Sequence, residues 1–275
     1  MTTIVYSRTV TSLGLSTDTI PSRWIRYIIT SFIFDLGSLY SLGVGTVKHF
    51  ALPPEGLAKM QRKDTTRTIP FKRRFWYAFC RIPVRLYFMI FYGARYFGRD
   101  NIPKQGGVLI VANHQSHYDP PLIGSGIPRR INYLARKTLF KFKPFAWLID
   151  SLDAIPLDNQ GIGFEGIKET IRRLKNGEMV LMFPEGTRTR DGKISPLKDG
   201  FLTLAIRGKA AILPVAISGA YETWPRFLRF PGPGRLKVLY GESISYETAK
   251  ETPPDELHRT VEAQLHEMFE KIQGQ

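Results

Sequence analysis

The sequence contains a single cysteine, Cys80, among 275 residues. One cysteine excludes an internal disulfide and a metal site built from several thiolates, and it fits a reducing compartment. The first twenty residues lack a basic start followed by an apolar block, so we expect no cleavable signal peptide. Long apolar runs are also scarce, and the mean hydropathy of −0.16 is typical of a water-facing globular chain rather than a polytopic membrane protein.

Acidic residues are few relative to basic ones. Lysine and arginine together number 39 against 24 aspartates and glutamates, which gives a formal net charge of +15. An excess of this size favours an anionic partner, which can be nucleic acid, phospholipid headgroups or a phosphorylated substrate. The charge alone does not choose among these three.

The longest apolar stretch runs from Tyr27 to Val47 and contains one formal charge, Asp35. It is long enough to cross a bilayer. A mid-span aspartate costs roughly 2.5–3.5 kcal/mol on insertion scales, which favours an interfacial or packed helix over a true span. We therefore assign residues 1–69 to a tail, an apolar helix and a polar linker, and residues 70–275 to one functional domain.

A basic, aromatic helix is predicted at the start of that domain, over residues 71–96, broken or kinked at Pro83. Its cations are Lys72, Arg73, Arg74, Arg81 and Arg85. Core helices rarely carry so many basic side chains, so this composition favours a helix lying on an anionic lipid surface.

Residues 97–275 alternate between short apolar runs and helical periods. Strands are predicted over 108–112, 132–135, 154–157, 179–183, 211–217 and 235–240, and helices over 138–152, 164–175, 199–207 and 253–272. This alternation predicts an α/β fold with a largely parallel central sheet flanked by helices, preceded by an N-terminal membrane-associated helical segment.

The first candidate site directly follows the first buried strand and reads Asn113-His114-Gln115-Ser116-His117-Tyr118-Asp119-Pro120. Ligands of open α/β sheets bind at the carboxyl ends of strands. His114 and Asp119 can pair only if the segment is a turn, and Asp119-Pro120 suits a helix start with the aspartate as cap. A carboxylate on one imidazole nitrogen leaves the other free to accept a proton. The alternative is that Asp119 only caps the helix. We expect His117 to be a positioning or surface residue.

The second candidate site follows the predicted strand 179–183 and reads Pro184-Glu185-Gly186-Thr187-Arg188-Thr189-Arg190. A glycine-containing loop with a hydroxyl and two arginines is suited to bind phosphate. The alternative is a solvated basic turn. Further basic residues follow the first site and favour an anionic substrate: Arg129, Arg130, Arg136, Lys137, Lys141 and Lys143.

Together these stretches resemble the glycerolipid acyltransferase family that makes phosphatidic acid from lysophosphatidic acid. His114 with Asp119 is similar to its histidine–four residues–aspartate motif, and residues 183–188 (FPEGTR) are similar to its second signature. Leu213-Pro214-Val215 resembles a later strand motif. The resemblance covers roughly residues 96–243, in the order and spacing of the family.

The resemblance implies that His114 is the general base and Asp119 its supporting carboxylate. It also implies acyl transfer from acyl-CoA or acyl-carrier protein as co-substrate, without a metal, another cofactor or an acyl-enzyme intermediate. The acceptor is then a lysophospholipid such as lysophosphatidic acid. The substrate-binding residues that it implies are Lys137, Glu185, Gly186, Thr187 and Arg188. We expect an enzyme at the cytoplasmic face of an anionic membrane, working in phospholipid synthesis.

One departure from the family pattern concerns the middle motif. The corresponding stretch here ends in Asp158-Asn159, so Asn159 stands where the family has an arginine. If that arginine helps to hold phosphate, another basic residue compensates for it or the acceptor differs.

Three other interpretations remain open at this point. Residues 161–166 match G-x-G-x-x-G, which is typical of dinucleotide-dependent oxidoreductases, but residues 158–160 separate the strand from the first glycine. His114, His117 and Asp119 resemble part of a metal site, yet such sites need further histidines from other loops. A non-enzymatic basic protein that binds membrane or nucleic acid fits the charge, although no nucleic-acid-binding signature accompanies it. We therefore expect no metal and no nucleic-acid partner.

Overall fold

The computed structural model describes residues 71–136, 154–157 and 163–274. The predicted tail, apolar helix and linker over 1–69, the helix over 138–152, and the positions of Lys137 and Asn159 lie outside these ranges. The helices are α1 (Phe71–Tyr92), α2 (Asp119–Gly126), α3 (Phe164–Lys175), α4 (Gly200–Gly208), α5 (Ala220–Thr223), α6 (Tyr246–Glu251) and α7 (Pro254–Gln273). The strands are β1 (Arg95–Phe97), β2 (Val108–Ala112), β3 (Ile131–Arg136), β4 (Ile155–Leu157), β5 (Met179–Met182), β6 (Ala211–Ser218) and β7 (Lys237–Tyr240).

These strands form one sheet in the order β1-β7-β6-β2-β5-β3-β4. Every pairing is parallel except that of β6 with β7, in which Val215 opposes Tyr240 and Ser218 opposes Lys237. The predicted α/β fold with a largely parallel sheet and flanking helices is confirmed. The short edge strand β1 and the antiparallel direction of β7 were not predicted.

The central strands are apolar throughout because both faces of the sheet are covered. All five residues of β2 have no exposed surface, as expected for a parallel strand between two layers. Successive side chains point to opposite faces, so Leu109 and Val111 enter one hydrophobic core and Ile110 lies on the other face. The first core also contains residues of α3, α4, α6 and α7, including Leu174, Phe201 and Val261.

Helix α2 lies on the second face of the sheet. Its glycines allow the close approach, because a Cβ at Gly124 would lie 1.9 Å from the Tyr133 hydroxyl and one at Gly126 would lie 2.1 Å from the Tyr240 hydroxyl. The Tyr240 hydroxyl donates to the carbonyl of Ile123 at 2.8 Å. Tight packing here fixes the start of α2, which lies in the candidate site.

Helix α1 packs on α2 and corrects part of the sequence interpretation. It continues across Pro83 rather than breaking there, and it ends at Tyr92. Arg81 and Arg85 are only 5% and 2% exposed, and Arg81 donates to the carbonyl of Ile127 at 2.5 Å. Arg85 lies over the ring of Tyr96. The prediction that these two cations face lipid is therefore wrong, because they bind polar and aromatic groups inside the protein.

The exposed side of α1 is apolar instead. Phe75, Phe79, Ile90 and Phe91 are 53–70% exposed. At 100° per residue these positions fall within one side of the helix. Within the ranges given above, no helix combines the length and apolar character needed to cross a membrane.

Candidate active site

Three loops meet at the carboxyl ends of the adjacent parallel strands β6, β2 and β5. They are residues 113–118 after β2, residues 183–192 after β5, and residues 219–224, which contain α5, after β6. Asn113 fixes the first loop to the neighbouring strand, since its side chain exchanges two hydrogen bonds with the backbone of Ile217 at 2.8 and 3.0 Å. The sheet topology therefore brings both predicted motifs to one edge.

The His114 and Asp119 side chains are paired. Nδ1 of His114 lies 2.8 Å from Oδ2 of Asp119, whose side chain has no exposed surface. Because a carboxylate can only accept, Nδ1 carries the proton and Nε2 is the nitrogen left to take one. The arrangement has the geometry of a general base with its orienting acid.

Asp119 does not cap α2, so the alternative role that the sequence left open is not observed. Tyr118 occupies the N-cap position, and Asp119 lies in the first turn. Its Oδ2 instead accepts the backbone N–H groups of Gln115 at 2.5 Å and Ser116 at 2.7 Å, in addition to the imidazole. These contacts close the turn that brings residues 114 and 119 together.

The imidazole plane is fixed by Phe183, the first residue of the second loop. The two rings are stacked, with centroids 3.9 Å apart and an angle of 14° between their planes. The His114 side chain is 19% exposed. A ring held by Asp119 at its edge and by Phe183 on its face has little freedom to turn, which favours proton transfer in one fixed direction.

Glu185 is a structural link between the two loops. It is 4% exposed, its Oε1 accepts the backbone N–H of His114 at 2.6 Å, and its Oε2 accepts the backbone N–H of Ser195 at 2.9 Å. Burial raises the pKa of Glu185, while the N–H groups of Ser195 and His114 oppose that shift. These contacts indicate that the Glu185 carboxylate positions the backbone of His114.

The rest of the second loop holds the same histidine from the other side. The N–H of Thr189 donates to the carbonyl of His114 at 2.8 Å. Gly186 adopts a positive φ of 75°, and a Cβ there would lie 2.8 Å from Nζ of Lys198, so glycine suits the turn. Thr187 is exposed beside it. Both backbone polar groups of His114 are thus bound by residues 185–189.

Arg188 lies next to the first motif through His117. Its Nη1 contacts Nε2 of His117, whose ring packs against Trp224 with centroids 4.9 Å apart. Burial lowers the pKa of His117, and the charges of Arg188 and His114 lower it further. A neutral His117 can accept a hydrogen bond from the guanidinium. This placement agrees with the positioning role expected for His117.

Several residues of the site have no clear sequence signal. Gln115 donates to the carbonyl of Gly192 at 3.1 Å, and Ser116 donates to the carbonyl of Trp224 at 2.7 Å. Phe183 belongs to the second signature, but nothing in the sequence indicates that its ring stacks on His114. The partners of Gln115, Ser116 and Phe183 become visible only once three separate loops meet.

One basic residue predicted near the site lies elsewhere. Arg129 donates to the carbonyls of Pro103, Gly106 and Gly177 at 2.7–2.8 Å. Gly106 and Gly177 precede β2 and β5, so Arg129 lies at the amino ends of these strands. That is the opposite edge of the sheet from His114. Among the residues that the structure describes, no three histidine, cysteine or acidic side chains are grouped to bind a metal.

Comparison with known proteins gives a consistent result. A family model described as Acyltransferase matches residues 94–218, which include both motifs. The 1-acyl-sn-glycerol-3-phosphate acyltransferase of Bacillus subtilis (strain 168) is 30% identical over 199 residues, which are 72% of this chain and 97% of that protein. The protein of the same name from Pseudomonas aeruginosa is 28% identical over 213 residues, or 74% of this chain and 81% of that one.

A solved structure is similar in fold. The crystal structure of the 1-acyl-sn-glycerophosphate acyltransferase from Thermotoga maritima superposes with a TM-score of 0.67. The match covers 91% of this chain and 98% of that one at 24% sequence identity. Identity at this level supports the common architecture and says nothing of individual side chains.

Proposed function

Because this chain belongs to the acyltransferase family and is an enzyme of the 1-acylglycerol-3-phosphate O-acyltransferase type, we propose that it acylates the free hydroxyl of a lysophosphatidic-acid-like acceptor. The donor is a thioester, either acyl-CoA or acyl-carrier protein. The observation that carries the proposal is the His114–Asp119 pair, held against a loop that contains Arg188. Family membership also favours this chemistry over a dinucleotide-dependent oxidoreductase.

The proposed reaction needs one base and no covalent enzyme intermediate. Nε2 of His114 takes the proton of the acceptor hydroxyl while the hydroxyl oxygen attacks the thioester carbonyl carbon. The C–O bond forms, the C–S bond breaks, and the thiolate leaves with the proton that the imidazole returns. Asp119, through Nδ1, stabilises the positive charge that develops on the ring. The products are the acylated acceptor and the free thiol.

The acceptor phosphate is assigned to Arg188. A guanidinium can bind a phosphate through two parallel hydrogen bonds. His117 lies against the same guanidinium and Glu185 fixes the loop that carries it. This arrangement places a cation near the base, so an acceptor bound by its phosphate presents its hydroxyl close to the imidazole. That Lys137 and the loop residues Gly186 and Thr187 also bind the acceptor stays a prediction.

The test supplies labelled acyl-CoA or acyl-carrier protein with a matched panel of phosphorylated and neutral lyso-acceptors. We expect the wild type to prefer the phosphorylated acceptors. Arg188→Ala should raise the apparent KM for them and leave kcat with neutral acceptors unchanged, whereas the exposed Arg207→Ala should change neither. If Arg188→Ala keeps the wild-type preference, the phosphate is bound elsewhere. If the His114→Ala variant releases thiol at the wild-type rate, His114 is not the general base.

The proposal also places the enzyme on the cytoplasmic face of an anionic membrane, through α1. Support comes from its exposed apolar side, where Phe75, Phe79, Ile90 and Phe91 point away from the protein. Burial of each such side chain in the lipid interface is favourable by roughly 1.5–3 kcal/mol at most. Replacing Phe79 and Phe91 with serine should weaken binding to anionic vesicles, measured by co-sedimentation. Unchanged binding would show that α1 does not attach the protein.

A further inference from the structure

The loop between α5 and β7 carries a second exposed apolar group, far in sequence from α1. Phe227, Leu228 and Phe230 are 68%, 45% and 71% exposed. Three large apolar side chains within four residues are unusual on a water-facing loop, where single exposed residues are the norm. We call residues 225–235 the aromatic loop.

The aromatic loop is also strongly basic. Arg226, Arg229 and Arg235 are exposed, and the sequence has no acidic residue between Glu222 and Glu242. Arg229 lies over the ring of Phe230, 5.4 Å from its centroid. Cations that alternate with exposed rings suit a lipid interface, where the rings enter the apolar region and the cations bind anionic headgroups.

Hydrogen bonds and close packing fix the backbone of the aromatic loop, and they hold these side chains in exposed positions. The N–H of Gly232 donates to the carbonyl of Thr223 at 2.8 Å, and the indole N–H of Trp224 donates to the carbonyl of Leu228 at 3.1 Å. Gly234 approaches so closely that a Cβ there would lie 2.1 Å from the Thr223 hydroxyl. Phe227 and Phe230 are therefore exposed to solvent on a turn whose backbone is held by hydrogen bonds.

The loop is attached directly to the candidate active site. Trp224, the residue directly before it, packs against the rings of His117 and Tyr118. Phe227 contacts the ring of Tyr221, whose hydroxyl donates to the carbonyl of Arg190 in the second motif loop at 2.7 Å. A partner that binds the aromatic loop is thus brought beside the catalytic histidine.

We propose that the aromatic loop is a second membrane-docking element, which inserts Phe227, Leu228 and Phe230 into an anionic bilayer while its arginines bind the headgroups. The exposed apolar side chains between the arginines favour a lipid surface over an acidic carrier protein, because a bilayer offers an apolar interior to the rings as well as anionic headgroups to the cations. The proposal depends on no step of the acyl transfer. It adds a contact, beside the site, to the proposed attachment through α1.

The test measures binding of the full chain to vesicles of phosphatidylcholine alone and of phosphatidylcholine with phosphatidylglycerol. We expect the double variant F227S/F230S to bind both at least tenfold more weakly. Its matched control is Phe164→Ser, because Phe164 is 79% exposed on a different element, at the start of α3. Turnover of a short-chain soluble acceptor should be the same in all three proteins.

A charge variant separates the two contributions. R226Q/R229Q should lower affinity only for anionic vesicles, by about fivefold per arginine, and R207Q/R259Q should have no effect because both of its arginines are exposed elsewhere. The arginine contribution should vanish in 1 M salt, where the Debye length falls to about 3 Å. The phenylalanine contribution should persist there.

Direct insertion is measured at Phe230 itself. Cys80 is the single cysteine, so F230C on a C80S background takes one environment-sensitive dye. A blue shift with vesicles, quenched by lipid-attached quenchers, is the expected result. No shift, or binding of F227S/F230S equal to that of F164S, would overturn the proposal while leaving α1 and the acyl transfer untouched. Normal vesicle binding with selective loss of transfer from acyl-carrier protein would also overturn it, in favour of a carrier-protein surface.

Discussion

The link made by Glu185 gives the sharpest prediction, because glutamine has almost the same shape and lacks one acceptor. Each carboxylate oxygen accepts one backbone N–H, from His114 at 2.6 Å and from Ser195 at 2.9 Å. In Glu185→Gln the amide has one oxygen and one NH₂ group, so one of the two N–H donors faces another donor. Glu185 is 4% exposed, and water therefore has little access to replace the lost acceptor.

The expected loss of stability follows from the single backbone N–H that is left without an acceptor. A buried backbone N–H without a partner costs about 1–3 kcal/mol. For a chain of this size each kcal/mol lowers Tm by about 2–4 °C, so E185Q should melt roughly 2–12 °C below the wild type. The movement of His114 should also lower kcat by up to about 10²-fold, since a displacement on the order of 1 Å costs that much.

The assay combines thermal unfolding, which measures Tm, with thiol release at saturating acceptor, which measures kcat. The control is Glu242→Gln, the same chemical change at an exposed residue, which should alter neither quantity. If E185Q is as stable as E242Q and keeps its kcat, Glu185 does not position His114. If it raises KM for the acceptor and leaves stability unchanged, the carboxylate contacts substrate, and the structural role given to it here is wrong.

Three other predictions concern the base, the turn after β6 and the surface of α3. Asp119→Asn should keep the fold and lower kcat by about 10³–10⁴-fold, because a neutral amide does not stabilise the protonated imidazole; single-turnover acyl transfer measures this. Gly219→Ala should destabilise the protein by roughly 2 kcal/mol or more beyond Gly106→Ala, as measured by urea unfolding. Both glycines have positive φ, but a Cβ at Gly219 would lie 1.9 Å from a backbone carbonyl oxygen and one at Gly106 meets nothing within 4 Å. The Arg172 guanidinium lowers the pKa of Glu169 from 4.5 to about 2, so its stabilisation is present above pH 4.5 and is lost as the pH falls towards 2. Glu169→Gln should therefore be less stable than wild type by at most about 1 kcal/mol at pH 7, and the difference should shrink in this acid range.

Much of the site could be predicted because the residues of each motif lie close together in the sequence. His114 and Asp119 are five residues apart, and their pairing follows from a turn that a proline at the next position makes favourable. The buried strands before each loop could be recognised as short apolar runs. Once both loops are assigned to the carboxyl ends of parallel strands, their meeting follows from the topology of the fold.

The remaining contacts could not be predicted because they join distant parts of the chain. Nothing in the composition of α1 indicates that Arg81 and Arg85 turn inwards, since their partners, the carbonyl of Ile127 and the ring of Tyr96, lie on other elements. The direction of β7 depends on the path of a long loop rather than on its four residues. The role of Glu185 likewise depends on which N–H groups the fold brings to it.

Residues 185 and 189 bind both backbone polar groups of residue 114. This has a consequence for enzyme engineering. These hydrogen bonds join the turn that carries His114 to the cationic loop, so transplanting the loop from a homologue to change acceptor choice would be expected to shift the proposed base as well. Redesign of selectivity should leave residues 183–189 intact. It should instead vary positions that approach the acceptor from elements not bonded to the histidine backbone.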